Sequence, residues 1–154
     1  MSGCHIQKKI YKMKIALACD HGGYDFQKNL TDYLSDKGHE VINCGTNNTE
    51  SCDYPDYGIK ACESVLQGES ERAILSCTNG IGMSMLANKH KGIRAALVYS
   101  ESSAKATRNH HGSNVLCLGA KEFSTETLKK YVDIWLDAEF EGGRHKRRID
   151  KFPE

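Results

Sequence analysis

The residues best able to do chemistry begin at Cys77, where the run Ala73-Ile74-Leu75-Ser76 meets Thr78-Asn79-Gly80-Ile81-Gly82. Consecutive backbone N–H groups at such a turn form an anion-binding concavity, and glycines let a ligand approach the backbone closely. The same positive field makes a thiol at its mouth more reactive. The plainer alternative for Cys77 is a buried structural cysteine, because cysteine is often a small core residue. A second group, Asp20-His21-Gly22-Gly23, offers a carboxylate and an imidazole for general acid–base work or for contact with a ligand's hydroxyls and phosphate. Its alternative is that Asp20 simply caps a helix. Arg108, His110 and His111 form a third group. Adjacent side chains diverge and no Asp, Glu or Cys spacing completes a ligand set there, so no metal site is expected. The fourth is Glu141 to Arg148, "EGGRHKRR", where Arg144 and Arg148 stand one helical turn apart and can converge on one phosphate. A solvated basic segment or an import signal is the alternative for that run. Gly142-Gly143 before it implies a sharp turn. After Gly80 and Gly82 the third position of a dinucleotide fingerprint holds Met85, so NAD binding is not expected.

These groups need elements to hold them, and the periodicity repeats one unit. Lys14–Asp20 reads as a short buried strand, followed by a helix with Phe26, Leu30, Tyr33 and Leu34 on one face and Gly38 as its stop. "HEVINCG" is a second strand, and "DYPDYGIKACESVLQG" a helix opened by Pro55 and closed by Gly68. "RAILSC" is the third strand, "MSMLANKH" a short helix, "GIRAALVYS" the fourth strand and "ESSAKATRNH" its helix. "SNVLCLG" is the fifth strand, and "STETLKKYVDIWLDAEF" a long helix striped by Leu128, Tyr131, Val132, Trp135 and Leu136. Strands alternating with helices predict a single α/β domain, Rossmann-like and three-layered, with a five-stranded parallel sheet between helices. Ligands of such sheets bind beyond the carboxyl ends of the strands, which is where Asp20 and Cys77 fall.

The whole chain sets outer bounds. Its 154 residues suffice for one core, with 39% hydrophobic and 27% charged residues, 2 prolines and a net charge of +1. That balance argues against a nucleic-acid-binding face. No apolar run approaches the roughly 20 residues of a membrane span. The 7 cysteines are odd in number, scattered and free of any CxxC pair, so neither a disulfide framework nor a zinc ribbon is expected. The first twelve residues lack a continuous apolar segment. A reduced, cytoplasmic protein follows as the expectation, with residues 1–12 an extension and 13–154 the domain.

In order along the chain, "ACDHGG", "GHEVINCGT", "ESCDYPDY", "GIGMS", "ANKHKGIRAAL", "RNHHGSNVLCLGA" and "WLDAEFEGGRHKRRID" resemble the ribose-5-phosphate isomerase B family, which includes the galactose-6-phosphate and allose-6-phosphate isomerases. The resemblance runs from Met13 to about Ile149. It implies a metal- and cofactor-independent aldose–ketose isomerase that interconverts ribose 5-phosphate and ribulose 5-phosphate through an enediolate. On that resemblance Cys77 is the base, the amides from Asn79 through Gly80, Ile81, Gly82 and Met83 to Ser84 form the anion hole, and His110 opens the sugar ring with Asp20 as partner. Tyr54 and His111 line the pocket, and His21, Arg144 and Arg148 take the phosphate. The family's assembly implies a homodimer or a dimer of dimers with each site shared by two subunits. This chain departs from the family pattern at Thr78-Asn79, where Gly then Thr or Ser is usual, at His111-Gly112, usually Asn-Asp, and at Lys121, often Arg. The alternatives are a 6-phospho-hexose isomerase and a catalytically silent sugar-phosphate-binding protein.

Overall fold

The structure is a computed structural model and describes residues 11–153. The extension expected over residues 1–12 lies outside them except for Tyr11 and Lys12. Five strands, β1 (Lys14–Cys19), β2 (Glu40–Asn43), β3 (Arg72–Cys77), β4 (Ala95–Leu97) and β5 (Val115–Gly119), form one sheet in the order β2-β1-β3-β5-β4. All four pairings are parallel. Six helices connect and cover them: α1 (Tyr24–Asp36), α2 (Tyr54–Leu66), α3 (Ile81–Ala87), α4 (Glu101–Asn109), α5 (Thr125–Asp137) and α6 (Arg144–Ile149). The three-layer α/β domain expected from the periodicity is therefore the one observed.

Alternation along the strands divides the core in two. Ile15 and Leu17 of β1, Ile74 of β3, and Leu116 and Leu118 of β5 meet Leu30 and Leu34 of α1 and Leu128, Val132 and Trp135 of α5 on one face. Each such aliphatic side chain contributes about 1.5–3 kcal/mol on burial. Trp135 is fully buried, and its indole N–H donates to Ser113 Oγ at 2.8 Å, which satisfies the one polar atom it carries. The other face is built from smaller residues. Ala16, Ala18 and Ala73 leave room for Ala61 and Cys62 of α2 and Met83 and Ala87 of α3. That closer packing brings the start of α3 down onto the carboxyl end of β3.

The strand order places the chemistry. From β1 the chain crosses to the β2 edge, whereas β3 leads to the other half of the sheet, so the crevice lies beyond β1 and β3. Cys19 pairs with Ser76 in the register, so Asp20 and Cys77 leave the sheet side by side. Several boundaries differ from those expected. Helix α3 begins at Ile81 rather than Met83, and β4 is only Ala95–Leu97. Helix α5 stops at Asp137, where Ala138 turns extended (ψ 145°). Phe140 then leaves the helical stripe and its ring packs over Gly112. No helix among the described residues is long and apolar enough to cross a membrane.

Candidate active site

At the carboxyl end of the sheet, the Cys77 turn is pinned from below. Ala120 N donates to Cys77 O at 2.9 Å and Lys121 N to Thr78 O at 3.0 Å, so the end of β5 holds the turn in place. Gly80 has φ +79°, a backbone conformation that side-chain-bearing residues rarely adopt, and it starts α3. The Cys77 sulfur accepts the Gly80 N–H at 3.2 Å and is 5% exposed. The anion hole expected over Asn79–Ser84 is narrower in the structure. Gly80 N is taken by the sulfur, Ile81 N by Asn79 Oδ1 at 3.0 Å, and Ser84 N by the helical bond to Gly80 O at 3.1 Å. The amides of Asn79, Gly82 and Met83 have no acceptor among the described residues, so they are the donors left for an oxyanion. The Asn79 side chain is folded onto its own turn by that bond to Ile81.

The other groups at this pole face the same crevice. Asp20 is 6% exposed and caps a 3₁₀ turn over His21–Gly23, its Oδ1 accepting the Gly22 N–H at 2.9 Å. The capping reading of Asp20 holds, and the cap fixes the direction of its carboxylate. His21 Nδ1 accepts the Cys52 backbone N–H at 3.2 Å. That bond leaves the ring proton on Nε2, a tautomer with its donor free for an anion. Thr78 Oγ1 lies 2.5 Å from where a Cβ on Gly22 would stand, so its hydroxyl is wedged against the Asp20 turn. Tyr54 opens α2, and its ring carbon Cζ lies 2.6 Å from the Cβ position of Gly82. Any side chain at 82 would displace the phenol from the mouth of the free amides.

The remaining predicted residues stand elsewhere. His110 caps the end of α4, and α4 runs back toward the amino ends of the strands. Cys77 pairs with Gly119, four residues along β5 from Val115, so about 13 Å of strand separates that level from the segment that carries His110. His111 is exposed and its carbonyl accepts Arg94 Nε at 2.8 Å. Arg144 and Arg148 project from α6, which Gly143 starts at φ 56°, ψ −127°. Both arginines are exposed and neither has a carboxylate partner among the described residues. Within one chain, His110, His111, Arg144 and Arg148 therefore form a separate cluster at the opposite pole. His145 stacks on His110 with centroids 4.4 Å apart and planes 9° apart. Its Nε2 is 3.3 Å from Glu141 Oε2, which is 4.0 Å from His110 Nε2.

These three residues bring their ligand atoms within 4.8 Å of one another, the spacing of a metal site. Stacked parallel rings, however, keep their lone pairs in separate parallel planes, whereas a metal needs them to converge on one point. Arg144 and Arg148 add positive charge beside His145. The cluster is suited to handling protons and anions rather than a cation. Neither Glu141 nor His145 stood out in the sequence, where both were absorbed into a basic run. The signal that could have found them is a four-residue spacing across Gly142-Gly143 onto a new helix.

The thiols separate by environment. Burial pushes Cys19 up to about 12 and Cys62 up to about 11, and it lifts Cys117 well above the ordinary thiol range and Cys44 above it. Those four are protonated and unreactive near neutral pH. Iodoacetamide is therefore expected to label Cys52 and Cys77 among the described cysteines. Inorganic phosphate or a sugar phosphate should protect Cys77 and activity together, as read by peptide mapping. Loss of activity with Cys77 unlabelled would count against its role.

Comparison with known proteins agrees with the fold. The profile of the Ribose/Galactose Isomerase family matches residues 15–152. Ribose-5-phosphate isomerase B of Escherichia coli is 41% identical over 137 residues, 89% of this chain and 92% of that protein. The solved structure of ribose-5-phosphate isomerase B from Clostridium thermocellum superposes with a TM-score of 0.89 at 45% identity, covering 90% of this chain and 94% of that one. That of the Mycoplasma genitalium enzyme with bound ribulose-5-phosphate gives 0.86 at 41% identity, covering 90% and 92%. With a matching profile across nearly the whole domain and relatives above 40% identity, the chain belongs to the ribose/galactose isomerase family.

Proposed function

We propose that the protein is an aldose–ketose isomerase that interconverts ribose 5-phosphate and ribulose 5-phosphate, with Cys77 as the base. The observation that carries this reading is a turn that holds both the Cys77 sulfur, bonded to Gly80 N, and the unclaimed amides of Asn79, Gly82 and Met83 at one strand tip. Isomerisation removes the weakly acidic proton on C2 beside the C1 aldehyde, and negative charge develops on O1. Cys77 thiolate takes that proton and returns it to C1, while a proton passes between O2 and O1. The free amides stabilise the enediolate, and each such donor is worth about 3–4 kcal/mol of barrier. Neither step calls for a metal or a redox cofactor.

The opposite pole enters from a second copy. His110, His111, Arg144 and Arg148 of one protomer complete the site around Cys77, Asp20, His21 and Tyr54 of its partner. Their placement at opposite ends of one chain supports this arrangement, since a pentose phosphate cannot reach both. Ile81 (49% exposed) and Met85 (67%), one turn apart on α3, with Tyr99 (67%) beyond β4, give the carboxyl-end pole apolar surface for such a contact. The two arginines and the His21 Nε2–H grip the phosphate, so that remote binding energy orients C1 and C2.

An isomerase assay of the purified chain across ribose 5-, allose 6- and galactose 6-phosphate tests the reading. Ribose 5-phosphate is expected to be the best substrate. Fast hexose turnover with none of the pentose would move the enzyme to the sister branch. Binding with no exchange of the C2 proton into deuterated water would make it a silent binder.

A further inference from the structure

Glu141, His145 and His110 form a cluster outside the Cys77 pole, and the mechanism above uses only His110. Glu141 does not stand there by accident of a loose loop. Its backbone N–H donates to Asn109 O at 2.9 Å, which ties the segment before α6 to the end of α4. Its Oε2 then lies 3.3 Å from His145 Nε2 and 4.0 Å from His110 Nε2. The His145 ring is 8% exposed, and its Nε2 has no aligned hydrogen-bond partner, so the carboxylate acts on it through charge. The His110 and His145 rings are stacked and nearly parallel, while His111 meets His110 edge-on at 6.2 Å.

We propose that Glu141 is a positioning residue for His110: with the stacked His145 ring it holds the His110 imidazole in place and sets a carboxylate charge beside it. The proposal rests on the reading that His110 opens the sugar ring. In that step the C1–O4 bond breaks and O4 takes the proton from His110. The C1 hydroxyl gives its proton to the Asp20 carboxylate, leaving the aldehyde, with no change of oxidation state.

The charges around the pair oppose one another. Burial, with the charges of Arg144, His110 and Arg148, holds His145 below the usual histidine range against the pull of Glu141. Two imidazolium rings stacked at 4.4 Å would repel, so a neutral His145 is the ring that packs against His110. The Glu141 carboxylate is the negative charge that faces both rings, and removing it leaves the arginines unopposed beside them.

The test compares Glu141→Gln and Glu141→Asp with the unmodified dimer in both reaction directions. Ribulose 5-phosphate is open-chain, because its O5 carries the phosphate and no five-membered ring can form on C2. For Glu141→Gln, kcat on ribose 5-phosphate is expected to fall about tenfold with KM within twofold. The basic limb of its kcat profile should move down by about half a pH unit or more, and Glu141→Asp should restore most of the loss. Saturated turnover of ribulose 5-phosphate should stay within about twofold. Titration of the His110 ring protons by NMR should show the same downward shift without reference to turnover. An equal loss of kcat in both directions, a change in KM alone, or an unmoved pH limb would overturn the role of Glu141. If His110→Ala itself shows no difference between the two directions, the ring-opening reading falls instead.

Discussion

Cys77→Ser is expected to lower kcat for either sugar phosphate by at least about a thousandfold while leaving sugar-phosphate affinity within about threefold. Serine keeps the turn, because its hydroxyl accepts the Gly80 N–H as the sulfur does at 3.2 Å. It keeps Gly82 and Met83 unclaimed and the phosphate groups untouched. What it loses is basicity, since an alcohol near neutral pH cannot take a proton from carbon. The sharp readout is exchange of the C2 proton into deuterated water, which stops if Cys77 is the base. Turnover within about tenfold of the unmodified enzyme would assign the proton transfer to another group. Cys77→Ala is the weaker variant, because it also strips Gly80 N of its acceptor in a 5%-exposed position.

Much of the fold could be read from runs such as "IALAC", "AILSC" and "VLCLG", whose residues are all buried, as strands covered on both faces must be. The boundaries that moved did so for tertiary reasons. Helix α3 gained Ile81 and Gly82 because the positive φ of Gly80 and the Asn79–Ile81 bond start the helix early. Helix α5 lost Phe140 because its ring is used to cover Gly112. No local pattern reveals that β5 inserts between β3 and β4, since that is a choice among long-range pairings.

The candidate site was legible in its residue types but not in its grouping. A residue that follows a strand and one that follows a helix stand at opposite ends of a parallel sheet. Cys77 and Asp20 follow strands, while His110 follows α4. That separation is the topological ground for the two-subunit site proposed above. Asn79 shows the reverse case. Its side-chain oxygen is spent on Ile81 N, while Thr78 presses a hydroxyl against the Asp20 turn. The departure from the family pattern therefore exchanges which of two neighbours offers a hydroxyl to the crevice.

His110→Ala is expected to separate the two directions of the reaction. Ribose 5-phosphate is mostly a closed ring, and without its general acid the enzyme must wait for the small open-chain fraction. The closed form occupies the site as an inhibitor, so kcat in that direction should fall by about a hundredfold or more. Ribulose 5-phosphate needs no opening, and its saturated turnover should stay within about threefold. The comparison has to be made at saturation. The equilibrium constant ties kcat/KM in the two directions together, so that ratio moves equally in both and conceals the effect. The variant is structurally mild, because the His110 side chain is 43% exposed and its stacked neighbour His145 keeps the Glu141 contact. Mixing His110→Ala with Cys77→Ser protomers adds a test of shared sites. A heterodimer that exchanges subunits should recover one intact site from two parents impaired in the forward direction, with full forward turnover at that site. Failure to recover any would place Cys77 and His110 in the same protomer's site, which the strand and helix directions argue against.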